Sequence, residues 1–180
     1  MFVVNIVIKI IYLCVFFISF PVHSLIITGS DAIEINGPES TVRAFDSSTV
    51  TVSSGADIAF LYGHDNATIN INGGDISWLW LYGNSEVNIS FVEDLSWLLV
   101  NNNVQVNIFG SGFSYANGHL SGFWANGSAF SFWALEESDL IAASIGNIQP
   151  DNINLHVVSA PSSMYLFLVG IGFLLIRRRA

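Results

Sequence analysis

The sequence predicts an all-β chain. It reads as a short parallel β-solenoid of ~19-residue coils with a C-terminal hairpin cap and, beyond it, a C-terminal transmembrane helix. Three observations predict this. Residue types recur at an offset of 18 or 19 through the middle of the chain. Short runs alternate β-branched and polar side chains, the period-2 pattern of strands with one face in and one out. No helical periodicity runs from Leu25 to Asn126.

The first element, residues 1–24, reads as a secretory signal peptide. Lys9 supplies the positive charge, Ile10 to Phe20 is the apolar core, and Pro21 breaks it. Val22-His23-Ser24 suits cleavage between Ser24 and Leu25. The alternative is a retained N-terminal membrane helix. A lipoprotein reading through Cys14 is disfavoured by Leu13, where a small residue is needed. Cys14 is the chain's one cysteine, so removal of this segment excludes disulfides, thiol catalysis and cysteine-based zinc sites together.

Residues 25–109 carry the repeat. Asp46 to Gly55 aligns on Asp65 to Gly74 at offset 19, and Asp75-Ile76-Ser77-Trp78-Leu79 on Asp94-Leu95-Ser96-Trp97-Leu98 at the same offset. Each unit holds two strand-like runs, one of the form Asp-Ile/Leu-small-aromatic-Leu and one such as Ile69-Asn70-Ile71. Tyr62 to Asn66, Tyr82 to Ser85 and Asn101 to Asn103 read as separators, rich in residues that accept left-handed turns. A β-sandwich is the competing fold, but it gives no reason for a fixed offset. In a stack, Val50, Ile69, Val87 and Val106 form one inward column, and Val52, Ile71, Ile89 and Ile108 another. Asn70, Asn88 and Asn107 form an outward amide ladder; Phe60, Trp78 and Trp97 form an aromatic column.

Residues 110–158 leave the repeat and read as cap and linker, with a hairpin turning at Asn126-Gly127. Residues 159–180 have three parts. Ser159-Ala160-Pro161-Ser162-Ser163 precedes an apolar run, Met164 to Ile176, and Arg177, Arg178 and Arg179 follow it. The run is short against the roughly 20 residues a bilayer needs. Counting back to Ser159 and letting the arginines snorkel makes a span feasible, with the arginines stopping transfer and staying cytoplasmic.

This tail resembles the PEP-CTERM sorting signal of Gram-negative bacteria. Its motif would be Ser159, Ala160, Pro161 and Ser162, with Ser-Ala-Pro standing where the family usually has Pro-Glu-Pro. The repeat and hairpin resemble the ectodomains that often precede such signals. The resemblance implies an exosortase-like sorting transpeptidase as partner, a transient inner-membrane stage, delivery to the cell surface or extracellular matrix, and association with exopolysaccharide and biofilm. A plain tail anchor facing the periplasm is the alternative.

Charge narrows the function further. Residues 25–158 hold one cation, Arg43, against fourteen carboxylates, a net −13 with histidines neutral. That excludes nucleic acid as a partner and argues against anionic membrane surfaces. Asp57, Asp75 and Asp94 open successive units; a weak calcium site there competes with the plainer reading of solvated corner residues. Trp78, Trp97 and Trp124 are candidates for stacking on sugars, set against packing in the core or cap. Trp78 and Trp80 share a parity, and Trp80 recurs as Leu99, which points inward. Histidine catalysis through His64, His119 or His156 has no motif behind it, and one arginine cannot serve a polysaccharide lyase site. No cofactor and no catalytic residue is expected. The overall expectation is an exported, non-enzymatic surface or matrix protein, with a carbohydrate-binding adhesin as the second class.

Overall fold

The structure is a computed structural model, and it describes residues 23–101, 103–142 and 147–158. The segment read as a signal peptide, apart from His23 and Ser24, and the segment read as a sorting signal, Ser159–Ser162 with the apolar run and arginines after it, lie outside the described residues. Among the described residues no helix is long and apolar enough to cross a membrane.

The chain is a parallel β-solenoid with two strands per coil. One sheet stacks β1 (Ser24–Ile27), β3 (Pro38–Ala44), β5 (Asp57–Gly63), β7 (Asp75–Leu81), β9 (Asp94–Val100) and β12 (Ala129–Glu136). The other stacks β2 (Ala32–Ile35), β4 (Thr49–Val52), β6 (Thr68–Asn72), β8 (Glu86–Phe91), β10 (Gln105–Ala116) and β13 (Ile153–Val157). The remaining strand, β11 (His119–Phe123), is antiparallel to both β10 and β12. It bridges the two sheets at the C-terminal end. A single helical turn and a half, α1 (Glu137–Ala142), follows β12.

The register matches the sequence offsets. Val50 pairs with Ile69, Ile69 with Val87, and Val87 with Val106. All are fully buried, as are Val52, Ile71, Ile89 and Ile108 in the next column. Stacking removes this apolar area from water, and each such side chain contributes roughly 1.5–3 kcal/mol when buried. The amide ladder forms as well. Asn88 Nδ2 donates to Asn70 Oδ1 at 3.2 Å, and Asn107 Nδ2 to Asn88 Oδ1 at 2.9 Å.

Three features differ from the sequence reading. First, the repeat does not end at Phe109. β12 resumes the first sheet, with Trp133 on Trp97 and Leu135 on Leu99, and β13 resumes the second, with Ile153 on Val106. The expected hairpin forms, β11 against β12 with Asn126-Gly127 at its turn, but it is inserted inside the stack and its second strand leads back into a coil.

Second, the strands of the first sheet bend. Ladder pairing skips Ala59 and Ser77 between β5 and β7, and Ser77 and Ser96 between β7 and β9. Two successive side chains then face outward, the small residue and the aromatic one, between buried Ile58 and Leu61 or buried Ile76 and Leu79. A small residue suits a bend of this kind. Third, Tyr62 and Gly63, read as separator, belong to β5.

The corners use left-handed residues, Gly55 and Gly74 on the way into the first sheet and one residue per coil on the way out of it. Gly29, Asp46, Asp65 and Gly83 have φ of 70°, 58°, 56° and 67°. Aspartate tolerates this region better than most side chains. Its carboxylate adds a link between coils: Gly29 N–H donates to Asp46 Oδ2 at 2.8 Å and Asp46 N–H to Asp65 Oδ2 at 3.3 Å.

Two substitutions should move stability in opposite directions. A Cβ on Gly73 would lie 2.5 Å from the Ser54 backbone nitrogen, so Gly73→Ala is expected to cost about 1–3 kcal/mol, as overpacking does. Ser85 is fully buried and its hydroxyl has no partner among the described residues, whereas Ala67 fills the equivalent place one coil earlier. Ser85→Ala should therefore be neutral or stabilising by up to about 1 kcal/mol. Urea unfolding midpoints of the two variants check both signs.

Candidate functional site

The bend decides where the aromatic residues go. Because Ser77 and Trp78 both face outward, Leu79 and Leu81 take the core and Trp78 and Trp80 take the outer face. The inward reading of Trp78 and Trp80 is thereby corrected. Both tryptophans are half-buried, as are Trp97 and Trp133, and Phe60 at the column's other end is 38% exposed.

The result is an outer aromatic face three columns wide. In the first, Trp78 stacks on Trp97 at 5.0 Å with a 4° interplanar angle, and Trp97 on Trp133 at 5.1 Å and 8°. His119 closes the column against Trp133 at 3.7 Å. In the second, the Arg43 guanidinium lies 5.1 Å from the Tyr62 ring centre, and Tyr62 meets Trp80 at 6.1 Å with a 48° tilt. In the third, Phe45, His64 and Tyr82 stack at 4.5 and 5.0 Å, nearly parallel. A shallow cleft of about 350 Å³ lies among Arg43, Phe45, Tyr62, His64 and Tyr82.

Stacking geometry limits what these rings can do. Trp97 has a parallel indole against each face, so it offers solvent its edge. A sugar cannot lie flat on it. An aromatic edge carries the positive end of the ring quadrupole and suits oxygen acceptors. Trp80 is tilted against every ring beside it, and its Nε1 is buried without a partner among the described residues.

The face ends at Glu137, which opens α1. Its carboxylate accepts from Asn101 Nδ2 at 2.9 Å and from the Tyr82 hydroxyl at 3.4 Å. Leu99 and Leu135 have the outward parity of Trp80 yet are each 1% exposed. Burial, and then the charge and hydrogen bond of Glu137, push the Tyr82 hydroxyl up to about 12. Burial lowers the His64 pKa, helped by Arg43 and opposed by Asp65.

The other predicted site residues are dispersed. Trp124 is 2% exposed, packed on Phe130 at 4.1 Å and edge-on to Phe91, so it presents no surface to a ligand. Asp57, Asp75 and Asp94 pair in register at the strand starts and are exposed. They line up along the axis instead of converging on a point, and among the described residues no group of three acids, histidines or cysteines could hold a metal. Ser24 and Leu25 sit within β1, opposite Thr41 and Val42. Cleavage between them would remove the His23 carbonyl that accepts from Ser40 and Thr41 N–H.

Sequence reasoning missed the second and third columns. Their signal was present: Arg43, Tyr62 and Trp80 recur at the coil offset, as do Phe45, His64 and Tyr82. Comparison with known proteins finds no matching family, no similar curated protein and no similar solved structure.

The Tyr82–Glu137 contact gives a pH test. The folded chain holds the Tyr82 proton more tightly than the unfolded chain, where tyrosine titrates near about 10. The stability from this difference is therefore complete below about pH 10 and falls as pH rises towards 12. Tyr82→Phe should flatten that fall in denaturant-unfolding curves; a decline of unchanged size would refute the assignment.

Proposed function

We propose that the chain is an exported, non-catalytic surface or matrix protein whose solenoid turns an aromatic face towards extracellular polysaccharide. The single observation that carries this is the outer face itself. Half-exposed tryptophans and tyrosines in three aligned columns form an apolar patch of the kind that marks an interaction surface. The acidic middle supports an uncharged partner over a polyanion.

The non-catalytic part of the reading draws on the histidines. His64 stacks between Phe45 and Tyr82, His119 against Trp133, and His156 on Phe109 with Asn107 Oδ1 3.1 Å away. Each ring has a packing role. Export and sorting rest on the sequence: the apolar segment 1–24, the Ser159–Ser162 motif, the Met164–Ile176 run as a membrane helix, and the arginines that end transfer. In this reading an exosortase-like enzyme releases the protein from the inner membrane. The carbohydrate-binding adhesin is the same reading with binding, not scaffolding, as the selected property, and the aromatic face favours it.

Intact mass of the protein from its native host tests the sorting step. The expected mature form starts at Leu25 and ends near Ser159–Ser163, and its end depends on the sorting enzyme. A form retaining Arg177–Arg179 would establish a tail anchor instead.

A further inference from the structure

The first aromatic column repeats with the coils, and the repeat is a ruler. Trp78, Trp97 and Trp133 follow one another at 5.0 and 5.1 Å in parallel planes, so each coil shows solvent the same ring edge in the same orientation. Phe60 continues the column one coil further, pairing in register with Trp78. A ligand running along the solenoid axis meets an indole edge in the same orientation on three successive coils and the Phe60 ring on a fourth. A ligand running along the strands meets a different ring each time, Trp78, then Trp80, then Tyr82, at mutual tilts of 42° and 34°.

The ligand that matches an axial ruler is itself a polymer with a repeat near the coil spacing of about 4.8 Å. An extended β-1,4-linked glycan advances by about one pyranose length per residue, close to that spacing, with each ring turned over relative to the last, so that it sets one sugar on each coil and the same sugar edge on every second coil. An α-linked glucan coils and drifts out of step. Ring edges suit hydroxyl oxygens as acceptors. Charge then selects among β-linked chains. Asp57, Asp75 and Asp94 stand exposed three residues upstream of Phe60, Trp78 and Trp97 in the same strands. They repel a polyuronate laid along the column.

We propose that the Phe60–Trp78–Trp97–Trp133 column binds an uncharged, extended β-1,4-linked polysaccharide along the solenoid axis, one sugar per coil. This rests on the polysaccharide-facing reading above and specifies its ligand, direction and register.

The experiment is a length series on the folded protein, read by tryptophan fluorescence and calorimetry. The probes are β-1,4-linked gluco- and chito-oligosaccharides, α-1,4-linked malto-oligosaccharides, and an oligo-uronate. Affinity for the β-linked series should rise by roughly threefold per sugar and level off at about four sugars, the number of rings in the column. Trp97→Leu should abolish the length dependence. Trp78→Leu provides the second variant, with circular dichroism confirming the fold.

Equal binding of α- and β-linked chains, or no dependence on length, overturns the axial register and leaves the polysaccharide reading standing. Preference for the oligo-uronate overturns the charge selection. Binding to none of the probes or to the host's own polysaccharide overturns both readings. A concentration-dependent dimer that shields the tryptophans from a quencher would assign the column to a second copy and also overturn the proposal.

Discussion

In-register stacking of parallel coils is the constraint on which everything else depends. A two-strand coil has too little apolar surface to hold itself together. It becomes stable only when its neighbour offers the same shape at the same place. The hydrogen-bond ladder fixes that place to about 4.8 Å along the axis. Every position in the coil is thus chosen against the residue one coil above and one below. Val50, Ile69, Val87 and Val106 are interchangeable in size because they share one slot. The same rule extends outside the core. Amides fall on amides, indoles on indoles, and carboxylates on carboxylates.

Like residues in a column have different consequences depending on chemistry. Asparagine is self-complementary: it donates with one end of its amide and accepts with the other, so the ladder gains a bond per step. Aspartate is not, and Asp57, Asp75 and Asp94 remain exposed, where solvent screens their repulsion. At the left-handed corners aspartate finds a different use. Asp46 and Asp65 accept backbone N–H groups of the preceding coil, so their charge is held by hydrogen bonds that cross the stack. Five of the fourteen carboxylates that look like a uniform surface charge in composition are in fact placed by turn geometry and coil register.

Much of this fold was legible in the sequence, for a physical reason. A solenoid writes its register directly as an offset, and both inward columns and the amide ladder follow from it. The offset failed in two places. Between Trp97 and Trp133 it doubles to 36, because β11 fills one coil length with an antiparallel strand that shares no residue pattern with the repeat. Residue-type matching at 18 or 19 therefore loses the thread at Phe109. Facing was misread at Ser77 and its equivalents, since strict alternation assumes an unbent strand. One bend shifts parity for every residue after it, which moved Trp78 and Trp80 from core to surface. The small residue before each aromatic was the available signal. Trp124 went the opposite way: it follows β11, outside the repeat, where the offset says nothing about facing.

The aromatic face shows how structural and recognition roles share one device. Parallel stacking aligns the indoles of successive coils and stabilises the sheet beneath them by roughly 0.5–1.5 kcal/mol per pair beyond their burial. It also consumes the ring faces, which a carbohydrate would otherwise use. What remains is a row of edges with fixed spacing. An isolated tryptophan on a loop recognises one sugar by lying against it, and its affinity depends on that one contact. A row of edges makes a weak contact at each step, and specificity then comes from whether the ligand keeps step. The feature that makes the coil stack stable, exact repetition along one axis, is the same feature that could only be read by a partner that repeats.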